Sequence, residues 1–190
     1  NHIEIAKKYI ENGAACLSVL TEEDFFLGNM NHIKDIKNIY TIPILCKDFF
    51  IDLYQVLLAK SFGADCILII LSALEIAKAR EIYEFSKQQG LSTLIEVHTQ
   101  KEAELALTFN DAIIGINNRN LKTLKVSLNT TVDLFKILKD HKSPLVCESG
   151  IKDKSDIDFI IKKTGIKNFL IGESLLKSNV IEEKLHELLK

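Results

Sequence analysis

The sequence predicts an α/β fold in which helices alternate with the strands of a parallel sheet. Short apolar runs end abruptly in a polar residue, and most of them are continuous rather than alternating, which is typical of strands covered on both faces. The only prolines, Pro43 and Pro144, each open such a run, and proline is tolerated at the first residue of a strand. Glycine closes the segment before a run at four places, as expected of a left-handed helix stop: Gly13, Gly63, Gly90 and Gly165.

The segments between the runs have the features of helices. Ile157, Ile160 and Ile161 recur at helical spacing on one face. Asp52 and Asp153 are short acceptors that can cap the helices that follow them. We therefore expect helices at 3–12, 30–39, 53–62, 75–89, 100–108, 129–139, 154–164, 173–177 and 181–189. We expect strands at 14–20, 43–47, 65–70, 92–97, 111–117, 144–148 and 168–171.

An open doubly wound sheet and a closed (β/α)₈ barrel both fit this alternation. Polar residues recur at the ends of well-separated strands, namely Lys47, Glu96, Asn117 and Glu148, whereas an open sheet concentrates its site at one switch point. This distribution favours the TIM barrel. Because a barrel needs eight strands and the chain opens with a helix, we expect one strand before Asn1 to be missing. Residues 1–190 would then form a single barrel domain of strands two to eight.

Composition limits the classes of partner and compartment. The formal charge of -2 gives no basic surface for nucleic acid or for a membrane, so we expect a small-molecule partner. No apolar stretch reaches membrane-spanning length and no signal segment opens the chain, which favours the cytoplasm. Four cysteines lie in apolar strand-like runs without a Cys-x-x-Cys pair. We expect them to be buried, reduced thiols.

Taken together, the strand ends resemble the indole-3-glycerol phosphate synthase family of tryptophan biosynthesis. The resemblance covers essentially the whole chain, in one order and at one set of spacings. It is carried by the segments 17–22, 47–49, 51–55, 94–98, 115–121, 148–151 and 171–175. It implies a barrel lyase that converts 1-(2-carboxyphenylamino)-1-deoxyribulose 5-phosphate to indole-3-glycerol phosphate. The reaction would release CO₂ and water and use neither metal nor cofactor.

The family's first strand, a Glu-Ile-Lys run followed by Ser-Pro-Ser, has no counterpart in this sequence. In the family its lysine helps to hold the substrate carboxylate, and its serines contribute to the phosphate site. Seven strands would leave two unpaired edges. We therefore expect the isolated chain to be less stable than one extended upstream, and inactive or nearly so. A monomer is the expected state, and the open edges are the surface through which association is possible.

The resemblance also implies roles for the polar strand ends. Lys47 would be the general acid that protonates the substrate ketone during ring closure, and Glu96 would be the base for the dehydration. Asn117 and Glu148 would both belong to the catalytic groups, with Asn117 at the substrate and Glu148 at the sugar hydroxyls. A solvated lysine, a structural carboxylate or a loop-bonding asparagine are the ordinary alternatives for these residues.

A second set of residues would bind the substrate in the same family. Phe26 and Phe49 would stack around the anthranilate ring, with Leu121 and Ile70 as apolar walls. Arg119 would order the active-site carboxylates. Glycine and helix-start backbone would hold the phosphate. The remaining members of the set are Ser149 beside the sugar, and Gly150, Gly172 and Glu173 at the phosphate.

Two other functions stay open on the sequence. One is a neighbouring phosphate-binding barrel such as phosphoribosylanthranilate isomerase, although Lys47 with Glu96 argues against it. The other is a partial barrel without activity. His98 follows Glu96 by two residues, and we interpret it as an ordinary loop histidine.

Overall fold

The computed structural model describes all residues from Asn1 to Lys190. The chain forms two compact units, Asn1–Leu94 and Ile95–Lys190. Every predicted helix and strand is present within a few residues of its expected bounds. A short 3₁₀ helix at Leu71–Ala73 was not predicted. None of the helices has both the length and the apolar character needed to cross a membrane.

The first unit builds parallel strands in chain order, with helices between them. Strand β1 pairs with β2 from Leu17↔Ile44 to Leu20↔Lys47, and β2 pairs with β3. Its elements are α1 (His2–Glu11), β1 (Leu17–Leu20), α2 (Asn31–Lys37), β2 (Ile44–Lys47), α3 (Leu53–Ser61), β3 (Cys66–Ile70) and α4 (Ile76–Gln88). Strand β4 (Ser92–Val97) begins in this unit, where the Ser92 N–H donates to the Asp65 carbonyl at 3.0 Å, and ends in the second.

The second unit repeats the pattern. Strand β5 pairs in parallel with β6, and β6 pairs in parallel with β7. Its elements are α5 (Gln100–Ala106), β5 (Ile113–Asn117), α6 (Asn129–Leu138), β6 (Leu145–Glu148), α7 (Lys154–Thr164), β7 (Asn168–Leu170), α8 (Glu173–Leu176) and α9 (Ile181–Leu189). Parallel pairing puts the carboxyl ends of neighbouring strands at one edge, which is where the polar tips lie.

The local signals act as the sequence predicts. The Asp52 side chain accepts from the Tyr54 N–H at the start of α3, and Asp153 accepts from the Ser155 and Asp156 N–H groups at the start of α7. These bonds satisfy donors that a helix start leaves unpaired. Gly165 ends α7 in the left-handed conformation at φ 75°. The predicted helix boundaries at these places are confirmed.

The two prolines lie one residue before their strands, and their carbonyls accept hydrogen bonds from the neighbouring strands. The Pro43 carbonyl accepts from Leu17 N–H at 2.9 Å, and the Pro144 carbonyl accepts from Ile114 N–H at 3.1 Å. The missing proline N–H therefore removes no interior bond, while its carbonyl opens the pairing.

The first strand is shorter than predicted, and one of its expected core residues is outside it. Because the ladder begins where Leu17 meets the Pro43 carbonyl, residues 14–16 form a bend and not a strand. Cys16 is exposed, so its predicted burial is wrong. Strand β1 alternates, with Leu17 and Val19 buried and Ser18 and Leu20 exposed. By contrast, Ile67–Ile70 of β3 are all buried.

Candidate active site

The four predicted catalytic residues lie at the carboxyl ends of their strands. Lys47 ends β2 in the first unit and is half-buried. In the second unit Glu96 is the penultimate residue of β4, and Asn117 and Glu148 end β5 and β6. Glu96 is 2% exposed and Glu148 is 1% exposed. A buried carboxylate costs free energy unless it is paired, so such positions are seldom occupied by acids without a reason.

The turn that follows Lys47 is fixed by Thr21. The Thr21 N–H donates to the Lys47 carbonyl at 3.2 Å, and the Thr21 hydroxyl lies 2.5 Å from the Asp48 carboxylate. The second Asp48 oxygen accepts from the Phe49 N–H at 2.8 Å. These bonds hold the backbone directly after the Lys47 side chain. Sequence reasoning did not single out Thr21, since a threonine after a strand carries no specific signal.

The two aromatic residues predicted to stack around the anthranilate ring lie together in the first unit. Phe26 and Phe49 stack with ring centroids 5.3 Å apart and planes inclined by 21°, and Phe25 meets Phe49 edge-on. The Phe26 backbone is held by the Glu22 carboxylate, which accepts its N–H at 2.9 Å. Ile70, the predicted apolar neighbour, ends β3 and is buried. The structure thus brings two predicted ring-binding residues into contact.

In the second unit the ends of β5 and β6 lie side by side, with Asn117 and Glu148 as register partners. Asn118, which the sequence reasoning missed, ties the two ends together. Its amide nitrogen donates to the Glu148 and Ser149 carbonyls at 3.1 and 3.0 Å. Its side-chain oxygen accepts from the Thr131 N–H and hydroxyl at the start of α6. Because Asn118 is fully enclosed, these bonds fix the strand ends that carry the acid and the amide.

Arg119 and Glu173 form an ion pair through the Arg119 Nη2 atom. They are 54 residues apart in the chain, and no local pattern predicts their contact. Lys177 approaches the same carboxylate at 2.6 Å. Hydrogen bonds from Lys177 and Arg119 hold the pKa of Glu173 below its usual value. The Glu173 carboxylate is therefore paired with two cations, Arg119 and Lys177. The group of Glu173 that can bind an anion is its backbone N–H.

The loop after β5 carries Leu121, which is half exposed. Both ends of this loop are anchored, since the Asn117 side chain accepts from Arg119 N–H at 2.9 Å and Ser127 N–H donates to the Asn118 carbonyl at 3.0 Å. Arg119 and Val126 form an antiparallel bridge across it. Asn117 therefore hydrogen-bonds the loop that follows its strand, which was the structural alternative to a role at the substrate. Its contact with the substrate stays a prediction.

Ser149 and Gly150 both have positive φ, at 63° and 87°. A Cβ atom on Gly150 would lie 2.5 Å from a methyl carbon of Val126, so the loop after β5 already fills the space beside this glycine. Gly150 is thus required both for its conformation and for close packing. A role for its backbone at a phosphate stays a prediction.

Gly172 precedes the short helix α8 and makes no side-chain cap bond. A Cβ placed on it would meet nothing within 4 Å. The first N–H groups of a helix have no partner within the helix, so the backbone at Gly172 and Glu173 offers donors beside open space. This arrangement is compatible with the predicted phosphate contact.

His98, interpreted from the sequence as an ordinary loop histidine, lies in the loop after β4 and against the candidate base. It follows β4, and its side chain is only 9% exposed. Its Nε2 lies 3.2 Å from the Glu96 carboxylate, and its Nδ1 lies 3.4 Å from that of Glu102. Burial opposes the charged ring, but the Glu96 and Glu102 carboxylates outweigh it and raise the pKa of His98. The spacing Glu-x-His was the only signal in the sequence.

Two predicted buried thiols are confirmed, at Cys46 and Cys147. Strand alternation turns each away from the charged tip beside it. The Cys46 thiol lies 3.3 Å from the Thr21 hydroxyl, and the Cys147 sulfur lies 3.2 Å from the Asn118 amide nitrogen. Burial raises the pKa of Cys46 to about 12 and also raises the pKa of Cys147. Cys66 is half-buried, and burial raises its pKa to about 12 as well.

Alkylation of the native chain should therefore modify Cys16 first and leave Cys46 and Cys147 almost untouched, because the thiolate is the reacting form and must be accessible. Partial burial also raises the pKa of Cys16, so its rate should stay below that of the unfolded chain. Iodoacetamide labelling with peptide mass analysis measures all four rates. Labelling of Cys46 or Cys147 as fast as in a denatured control would contradict the strand register.

Solved structures show the fold class. The crystal structure of a 3-hexulose-6-phosphate synthase aligns with a TM-score of 0.77 at 13% identity, and the alignment covers 98% of this chain and 91% of that one. The 3-keto-L-gulonate-6-phosphate decarboxylase of Vibrio cholerae aligns at 0.73 and 14% identity, covering 100% and 91%. At such identities the likeness shows the fold alone. The chain has a TIM-barrel-like α/β fold, as predicted.

Sequence comparison is more specific. The family model of indole-3-glycerol phosphate synthase matches residues 1–188. Curated enzymes of that name are 42% identical in Oceanobacillus iheyensis, over 98% of this chain, and 44% identical in Endomicrobium trichonymphae, over 97%. This chain spans 71% of the length of each. The match over nearly the whole chain, on a fold with charged strand tips, confirms what the motifs predicted: the chain belongs to the indole-3-glycerol phosphate synthase family.

Proposed function

We propose that this chain catalyses the conversion of 1-(2-carboxyphenylamino)-1-deoxyribulose 5-phosphate to indole-3-glycerol phosphate. The observation that carries the proposal is the position of the polar residues, since Lys47, Glu96, Asn117 and Glu148 all lie at the carboxyl ends of parallel strands. In barrel enzymes this is the end where the chemistry takes place. Family membership supplies the substrate.

Ring closure comes first in the proposed sequence. The ring carbon that bears the carboxylate attacks the substrate ketone, and the Lys47 ammonium gives a proton to the ketone oxygen. Loss of CO₂ then returns the bonding electrons to the ring and restores its aromatic character. Thr21 and Asp48 support this step by fixing the backbone around Lys47, so that the ammonium stays in place as charge develops on the oxygen.

Dehydration comes second. Glu96, as a carboxylate, takes a proton from the decarboxylated intermediate. The hydroxyl group accepts a proton from solvent and leaves as water, and the indole double bond forms. Stacked Phe26 and Phe49 offer the flat apolar surface that an anthranilate ring requires. Glu148 and Ser149 are assigned to the sugar hydroxyls, and Arg119, Asn117, Leu121 and Ile70 to the remainder of the substrate.

We also propose that a further strand completes this site. The support is the position of β1, which is the first strand in the sheet order and pairs with β2 alone. Its other edge therefore carries backbone N–H and C=O groups that a further strand would pair in a closed barrel. By family resemblance the added strand would bring a second lysine and the phosphate-loop serines.

The substrate assignment is tested by offering two anthranilate-bearing sugar phosphates to the chain extended upstream of Asn1. Fluorescence should show indole-3-glycerol phosphate formed from 1-(2-carboxyphenylamino)-1-deoxyribulose 5-phosphate, with phosphoribosylanthranilate unchanged. Isomerisation of phosphoribosylanthranilate without indole formation would contradict the proposal and would identify the activity as that of a phosphoribosylanthranilate isomerase.

A phosphate or sulfate ion should bind at the N–H groups of Gly172 and Glu173, because the start of α8 offers donors beside open space. Crystals soaked in sulfate measure this directly. The start of α9, preceded by the exposed Val180, is the internal comparison. An ordered anion elsewhere, with the Gly172 position empty at high sulfate, would count against this phosphate site.

A further inference from the structure

His98 lies between Glu96, the proposed base, and the half-buried Glu102, and the proposed mechanism uses neither His98 nor Glu102. It follows the last residue of β4, two positions after Glu96. The His98 Nε2 atom approaches the Glu96 carboxylate and its Nδ1 atom approaches Glu102 on α5, at 3.2 and 3.4 Å. The three side chains are 9%, 2% and 15% exposed in the order His98, Glu96, Glu102. The imidazole ring is therefore enclosed between two carboxylates from two different elements.

The start of α5 holds the His98 backbone and the Glu102 side chain in place. Thr99 caps this helix, accepting from the Glu102 N–H at 3.3 Å and donating to the Glu102 carboxylate at 2.9 Å. The other Glu102 oxygen accepts from the His98 N–H at 2.7 Å. These bonds at the start of α5 explain Glu102 on structural grounds alone. It does not explain why the ring should point at Glu96.

The chemistry of imidazole supplies a reason. A neutral ring has one N–H, and could face only one of the two carboxylates as a donor, whereas the protonated ring has an N–H on each nitrogen. The two nitrogens lie at ion-pair distance from Glu96 and Glu102 without the alignment of a strong hydrogen bond. The interaction in this structure is therefore mainly one of charge, which favours the protonated ring between the acids.

We propose that His98 is a positioning residue whose ring stays protonated between the Glu96 and Glu102 carboxylates. Its positive charge keeps the Glu96 carboxylate ionised and holds it in position. This inference rests on the proposed function, in which Glu96 must be ionised to take a proton. His98 keeps its own proton through the cycle and acts only through Glu96. The raised pKa of His98 agrees with the geometry.

The pairing itself is tested without any activity, by NMR titration of the chain with ¹³C-labelled histidine rings and glutamate carboxyls. The His98 ring should titrate above the ordinary range of histidine, and Glu96→Gln should lower its pKa. In His98→Gln, which keeps a polar side chain but removes the charge, Glu96 should titrate at higher pH than in the parent. An unchanged titration of Glu96 in that variant would overturn the proposal, whatever the activity of the chain.

The catalytic consequence is tested in the chain extended upstream. In His98→Gln the acidic limb of the plot of kcat against pH should move to higher pH. We expect kcat to fall by about 10-fold near neutral pH and to recover at alkaline pH. This loss is smaller than the roughly 10²-fold expected when the base itself is removed. KM should change little. The matched control is His186→Gln, on the exposed face of α9, where no kinetic change is expected.

The results of these experiments distinguish a failure of the His98 role from a failure of the proposed synthase activity. A uniform loss of kcat at all pH values, equal in His98→Gln and His98→Leu, would mean that His98 only supports the fold, and would overturn its role. If the parent forms no indole-3-glycerol phosphate, the proposed function fails, while the glutamate titration still decides the pairing.

Discussion

Lys47→Ala should lower kcat by about 10²-fold or more while the fold stays intact, because a general acid acts mainly on the transition state and contributes at least about that factor. The side chain ends β2, where the backbone bonds of Thr21 hold the strand whatever the residue is. Truncation therefore removes the ammonium and leaves the hydrogen bond between the Thr21 N–H and the Lys47 carbonyl in place. The measurement is kcat with far-UV circular dichroism, in the chain extended upstream of Asn1.

Lys34→Ala is the matched control for this experiment. Lys34 lies in the last turn of α2 in the same unit and is exposed, so its removal should leave kcat unchanged. If Lys47→Ala retains more than roughly a tenth of the parent kcat, the assignment of Lys47 as the acid is wrong, since acid catalysis is worth more than that.

Glu96→Gln should lower kcat by a comparable factor, but at a later step. The amide keeps the size of the side chain and cannot accept the proton that leaves in the dehydration. Ring closure and loss of CO₂ need Lys47 and should continue. An intermediate that has lost CO₂ but not water is expected to accumulate, and quenched-flow sampling with mass analysis would detect it.

Glu84→Gln, on the exposed face of α4, is the control for the loss of one carboxylate charge and should have the parent's kinetics. Loss of both CO₂ release and indole formation in Glu96→Gln would place Glu96 in the first step instead of the second. Parent-like turnover would remove it from the mechanism.

Features set by neighbouring residues in the chain could be predicted from the sequence. The caps at Asp52 and Asp153 and the left-handed stop at Gly165 depend on contacts within a few residues, and each lies where it was expected. The strand tips were equally clear, since an apolar run that ends in a charge fixes both the strand and its end. The parallel order then followed from the alternation of helix and strand.

Features set by distant contacts could not be predicted. The pair of Arg119 with Glu173 joins residues 54 positions apart, and the cross-links of Asn118 reach Glu148 and Thr131. Cys16 looked like a core residue because it stands in an apolar run, yet the ladder begins only at Leu17 and leaves it exposed. Burial depends on where a strand meets its neighbour, and composition does not contain that information.

His98 is an intermediate case. The Glu-x-His spacing was visible in the sequence, but the bond from the His98 backbone N–H to the Glu102 carboxylate was not predicted. What the sequence could not supply is the enclosure of the ring, which makes its charge matter to Glu96.

The central claim is that the polar strand tips of this chain carry out the synthase reaction in a barrel completed by a further strand. The most direct test compares indole-3-glycerol phosphate formation by the 190-residue chain and by the chain extended upstream, at equal concentration and with melting curves for both. The extended chain should form the product and melt at a higher temperature, and the 190-residue chain should form little or none. Equal activity would show that the further strand is dispensable, and absence of product from both chains would contradict the assigned function.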